Sequence, residues 1–163
     1  MRIYIPATVA MLEQLVSDGS LRPVNGTAFA VTPALRESYT HGDDDELAEV
    51  AIAEAALGSL RLLGAEGDVD RPRRAVLVAD ADVQLRPDLH EAVVRISGEI
   101  PLDAVVAAFV DNAAAESAVR AAIEVIDAAD IGDEDAELTV GDAQDHDLAW
   151  YDSGELPFLI ELL

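Results

Sequence analysis

Residues Ile100–Asp130 read IPLDAVVAAFVDNAAAESAVRAAIEVIDAAD, and this stretch decides the fold class. Val105–Val110 is an unbroken apolar run of strand length, stopped by Asp111 and Asn112. Continuous apolarity over so short a run marks a strand covered on both faces. A helix with one clean face follows: Val119, Ala122, Ile123 and Ile126 recur at helical spacing, while Glu116, Arg120, Glu124 and Asp127 point the other way. A buried strand feeding an amphipathic helix is half of a βαβ unit. The expectation is an α/β (or α+β) single domain over residues 1–163, a mixed β-sheet of about 5–7 strands with helices packed on it.

Upstream, Arg2–Pro6 alternates as a strand ended by Pro6, and Thr8 caps a helix that stops near Gly19. Thr27–Val31 reads as a second strand. Thr32 caps a helix with Pro33 at its first position, where the missing N–H costs nothing, and this helix runs to about Thr40. Asp43, Asp44 and Asp45 then oppose the dipole of a long alanine-rich helix reaching about Leu63. That helix has two apolar faces, one through Ala48, Ile52 and Ala55, the other through Leu47, Val50, Leu57 and Leu60. Such a helix is buried or shared with a second subunit, so a homodimer through Leu47–Leu63 is one reading. Gly64–Pro72 is a polar connection, Ala75–Ala79 a central strand, Asp80–His90 an irregular loop and Val93–Ile96 a strand. Beyond Asp130 the spacing predicts a loop, a short strand near Glu137–Val140, an acidic loop over Gly141–Asp147 and a strand over Leu148–Tyr151. A helix beginning near Ser153 closes the chain, with Pro157 tolerated in its first turn.

The charge balance excludes several functions. Thirty-three acidic residues face ten basic ones, all arginine, for a net charge of −23. Such a surface repels phosphate backbones and anionic headgroups, so neither nucleic acid nor membrane is the expected partner. After Arg120 no basic residue occurs, while 13 Asp and Glu follow. That acidic third is a solvated face or a docking surface for a basic partner. There is no cysteine, hence no disulfide and no thiolate metal site. No basic-then-apolar leader opens the chain and no 18-residue apolar run spans a bilayer, so the expected compartment is the cytoplasm.

Phosphate-binding glycine loops, zinc-protease, serine-hydrolase and EF-hand signatures are all absent from the sequence. The best remaining cluster is Asp80, Asp82 and Asp111, each just past a buried strand. On parallel neighbouring strands these carboxylates converge at the sheet's carboxyl edge, where they can hold Mg²⁺ for chemistry on a phosphorylated small molecule. Aspartates also simply end strands. His146 lies among Asp142, Asp145 and Asp147, and Trp150 and Tyr151 stand out in a chain with 4% aromatics; the three mark a ligand or partner surface. On an alternating strand one of the two aromatics faces the core. Arg71, Arg73 and Arg74 form the single basic cluster and are expected to pair with nearby acids.

Three blocks, RIYIPAT (Arg2–Thr8), TAFAVTPALR (Thr27–Arg36) and the run from Asp130 through Phe158 (DIGDEDAEL, LAWY, ELPF), together resemble a family of small uncharacterised actinobacterial proteins. The resemblance implies a GC-rich actinobacterial source, in keeping with the absence of lysine, and supplies no activity or catalytic residue. Two functional readings follow. One is a non-catalytic interaction module, without cofactor, that uses its acidic C-terminal surface. The alternative is a divalent-metal-dependent enzyme working through Asp80, Asp82 and Asp111.

Overall fold

The structure, a computed structural model, describes residues 1–66 and 69–163. The expected Gly64–Pro72 connection includes positions 67 and 68, which lie outside the described residues. The elements in chain order are β1 (Arg2–Ala7), α1 (Val9–Asp18), β2 (Ser20–Leu21), β3 (Thr27–Phe29), α2 (Pro33–Ser38) and α3 (Asp44–Glu66). They continue with β4 (Ala75–Asp80), β5 (Gln84–Leu85), β6 (Val93–Arg95), β7 (Ile100–Pro101) and β8 (Val105–Val110). The last are α4 (Glu116–Asp130), α5 (Glu134–Gln144), β9 (Ala149–Asp152) and α6 (Leu156–Leu162).

Seven strands form one sheet in the order β5-β6-β3-β1-β4-β8-β9, and β2 and β7 form a separate two-stranded ribbon. The helix-and-sheet architecture and the strand number match the sequence reading. The hand of the pairing does not follow a βαβ pattern: every neighbouring pair runs antiparallel. For the last pair, β8 with β9, the cause lies in α5. The segment expected to hold a strand at Glu137–Val140 and an acidic loop from Gly141 is instead a helix. A strand followed by one helix returns to the same end of the sheet and runs parallel. Here α4 and α5 form a helical hairpin through the short turn Ile131–Asp133, so β9 comes back antiparallel to β8.

Helices cover both faces, which is why β8 and β4 as far as Ala79 are apolar. On one face Ile3, Ile5, Leu77 and Val110 pack with Leu12 and Leu15 of α1 and Leu156 and Leu159 of α6. On the other, Tyr4, Phe29, Val76 and Val78 meet Leu35 of α2 and Leu47, Ala51 and Ala55 of α3. The second half of α3, with Leu60 and Leu63, packs against Val119, Ala122 and Ile126 of α4 and Val140 and Ala143 of α5. The first half of α3 is thus buried on the sheet and its second half on the helical hairpin.

Local chemistry sets the boundaries. The hydroxyls of Thr8 and Thr32 accept from Met11 and Leu35 N–H, capping α1 and α2 as their positions suggest. Asp43 Oδ1 accepts from Glu46 N–H at 2.9 Å and caps α3. Pro6 lies inside β1 rather than ending it: β1 pairs with β4 through Ala7, but with β3 only at Tyr4, so no ladder bond to β3 is asked of the residue without an N–H. At Gly58, α3 comes so close to β1 that a Cβ would stand 2.8 Å from Pro6 Cγ. Next to it, Ser59 Oγ donates to Ala7 C=O at 2.7 Å and accepts from Ala75 N–H at 3.0 Å, tying α3 to two strands.

Candidate functional site

The antiparallel register puts Arg74, just before β4, opposite Asp111, just after β8, one step beyond the Ala75–Val110 pair. Arg74 N–H and Nε donate to Asp111 Oδ2, each at 2.8 Å, and a terminal guanidinium nitrogen donates to Oδ1 at 2.7 Å. Side-chain exposure is 2% for Arg74 and zero for Asp111, so the pair is removed from water. A pair so buried persists only when its remaining hydrogen-bonding capacity is used. Here the guanidinium also donates to Gln144 Oε1 at 2.9 Å and to His146 C=O at 2.7 Å. Gln144 in turn donates to Ala53 C=O of α3 at 3.2 Å. One buried ion pair therefore fixes the end of α5 and the start of the segment leading to β9.

Above this knot lies a cleft of about 520 Å³ between α3, the end of α5 and β8. Its apolar part comes from Ile52, Ala56, Phe109 and Leu148, and its carboxylates from Glu49 and Asp147. His146 also lines it, and its carbonyl holds Arg74. Trp150 is the cross-strand partner of Phe109, so the two rings project from the same face of the sheet as the cleft. Trp150 is 57% exposed, whereas Tyr151 on the alternate side packs against the α1/α6 core, as the alternation requires. Among the described residues, Asp130, held by Arg61, is the only one of the 13 acids after Arg120 in an ion pair. The face around β9 therefore carries uncompensated negative charge. A second cleft of about 550 Å³ opens on the opposite side of the sheet, lined chiefly by Val16, Leu102 and Pro157, and brings no comparable set of polar groups together.

The structure does not bring Asp80, Asp82 and Asp111 together. Because β4 and β8 run antiparallel, Asp80 ends β4 at the edge of the sheet away from Arg74 and Asp111. The length of β4 separates the two carboxylates by roughly 20 Å at the usual rise per residue. Asp80 instead accepts from Arg2 Nε at 2.9 Å, and that guanidinium holds its carboxyl below the usual carboxylate range. Asp82 is exposed in the loop after β4. Among the described residues no group of three or more His, Asp or Glu side chains is arranged to hold a metal ion. The arginine cluster resolves into separate ion pairs, Arg71 with Glu13, Arg73 with Glu116 and Arg74 with Asp111. Glu49 and Gln144 escaped sequence reasoning, Gln144 because it sits where a loop was expected.

Fold and site together define a helix-covered antiparallel sheet domain whose open edge is acidic and aromatic. The sequence pattern of a family of unknown function (DUF6912) matches residues 1–160, and the chain belongs to that family. Comparison with curated proteins and with solved structures gave no match. No described helix is long and apolar enough to cross a membrane.

Proposed function

We propose that the chain is a non-catalytic interaction module that docks a basic protein segment on its acidic C-terminal face, at the cleft and β9. The observation that carries the reading is Trp150. A tryptophan 57% exposed on the outermost strand presents to solvent the residue type most enriched at the energetic centres of protein interfaces. Asp145, Asp147 and Asp152 surround it in sequence and supply the charge that would attract a cation. The same charge argues against a nucleic acid as the occupant. The buried Arg74–Asp111 pair supports the reading as scaffold: its groups are already engaged, so it holds the face in shape rather than reacting.

The test uses the single tryptophan as its own reporter. A blocked hexa-arginine peptide is titrated into the chain at physiological salt, with hexa-glutamate as control. The reading expects a saturable change in Trp150 emission with the arginine peptide alone. A flat response to it at millimolar concentration would contradict the reading.

A further inference from the structure

We infer that β9 accepts an extended basic peptide as an eighth strand of the sheet, with one cationic side chain laid over the Trp150 ring. The inference rests on the docking reading above and adds the mode of docking. β9 is the outermost strand on its side, paired with β8 alone. In a strand, N–H and C=O of one residue point the same way and successive residues alternate, so half of the four residues in β9 address β8 and half address the open edge.

Sheet edges are normally blunted by shortness, charged side chains (lysine above all), proline, a bulge or a covering loop. β9, Ala-Trp-Tyr-Asp, is short and ends in Asp152, but it has no lysine or proline and it offers a large aromatic to solvent. What it does have is negative charge at both ends, Asp147 before it and Asp152 at its close. Antiparallel pairing of two copies through β9 would set Asp147 of one copy near Asp152 of the other at both ends, so the charge rejects a second copy of this chain. A basic strand meets the same carboxylates with opposite sign. On the Trp150 side of the added strand, a guanidinium or ammonium group reaches the ring face, where the quadrupole attracts a cation. The next position along that face points toward the cleft with Glu49 and Asp147 at its mouth.

The recognition uses backbone, charge and one aromatic, so it does not depend on a particular partner sequence. It can be tested by calorimetry on the intact chain with a blocked peptide of alternating arginine and valine, titrated to about 1 mM because so short an edge binds weakly. Two further peptides carry N-methyl groups on one or the other alternate set of amides, which removes donors but leaves every charge. The expected result is loss of at least about tenfold in affinity for one methylated peptide and near-full affinity for the other. Trp150→Ala, whose exposed side chain makes it a safe change for folding, is expected to weaken the unmethylated peptide several-fold with an unchanged circular dichroism spectrum. Equal binding by all three peptides would overturn strand addition while leaving the acidic docking face standing. Binding by none of them would overturn both. A peptide of alternating glutamate and valine that bound as tightly would overturn the selection for charge.

Discussion

The Arg74–Asp111 pair offers the sharpest test of how this fold is held. Asp111→Ala would leave a guanidinium that is 2% exposed without its carboxylate and remove three hydrogen bonds. Breaking one side of a buried pair costs roughly 3–5 kcal/mol, because the remaining charge stays out of water. For a domain whose total stability is about 5–15 kcal/mol, that is a large share. With a urea slope near 2 kcal/mol/M, the unfolding midpoint should fall by roughly 1.5–2.5 M. Arg74→Met should cost a similar amount by stranding Asp111. The double variant, Arg74→Met with Asp111→Ala, should be less damaged than the sum of the two, since the buried charge is gone from both sides. It should still lose about 1–3 kcal/mol, because Gln144 Oε1 and His146 C=O lose their donor. The assay is urea unfolding followed by far-ultraviolet circular dichroism for all four proteins. Single variants that lose less than about 1 kcal/mol, or a double variant that simply adds the two, would refute the reasoning.

Three further outcomes follow from particular contacts. Gly58→Ala should destabilise by about 1–3 kcal/mol in thermal or urea unfolding although alanine favours helix, because the new methyl meets Pro6 at 2.8 Å. Ser59→Ala, which orphans Ala7 C=O and Ala75 N–H in the core, should cost about 1–3 kcal/mol by the same assay. The Arg2–Asp80 pair contributes stability at neutral pH, because the folded carboxyl is held below its usual range; the contribution is lost as pH falls below about 4 through the folded value. Both side chains are about half exposed, so the advantage of the native chain over Arg2→Gln should be only roughly 0.2–1 kcal/mol at pH 7, and melting curves should converge near pH 2.

The legible parts of the sequence were those in which one local signal sufficed. Thr8, Thr32 with Pro33, and the aspartates before α3 mark helix starts by capping chemistry alone. The apolar runs at Ala75 and Val105 mark strands buried on both faces. The opposed environments of Trp150 and Tyr151 follow from alternation. The segment after Asp130 was misread because Thr139, Val140 and Gly141 disfavour helix locally. The helix there is fixed by the Asp133 cap and by Val140 and Ala143 packing on α3 and α4, with Ala136 buried at the same helical spacing. That helix sets the direction of β9 alone; Asp80 and Asp111 stand at opposite edges because β4 pairs antiparallel with β8, which no local signal in the sequence shows. Asp111, read as a metal ligand, is instead the buried partner of Arg74, which lies 37 positions away and is named only by the strand register.

The most direct test of the docking face is a map of amide shifts in a ¹H–¹⁵N spectrum of the labelled chain, recorded at physiological salt with and without the alternating arginine–valine peptide. The account predicts that the large shifts are confined to residues 145–152, Phe109 and the Glu49 turn of α3, with Trp150 among the most affected. Shifts spread evenly over acidic residues on every face, or concentrated away from β9, would contradict it and reduce the acidic surface to a solvated one.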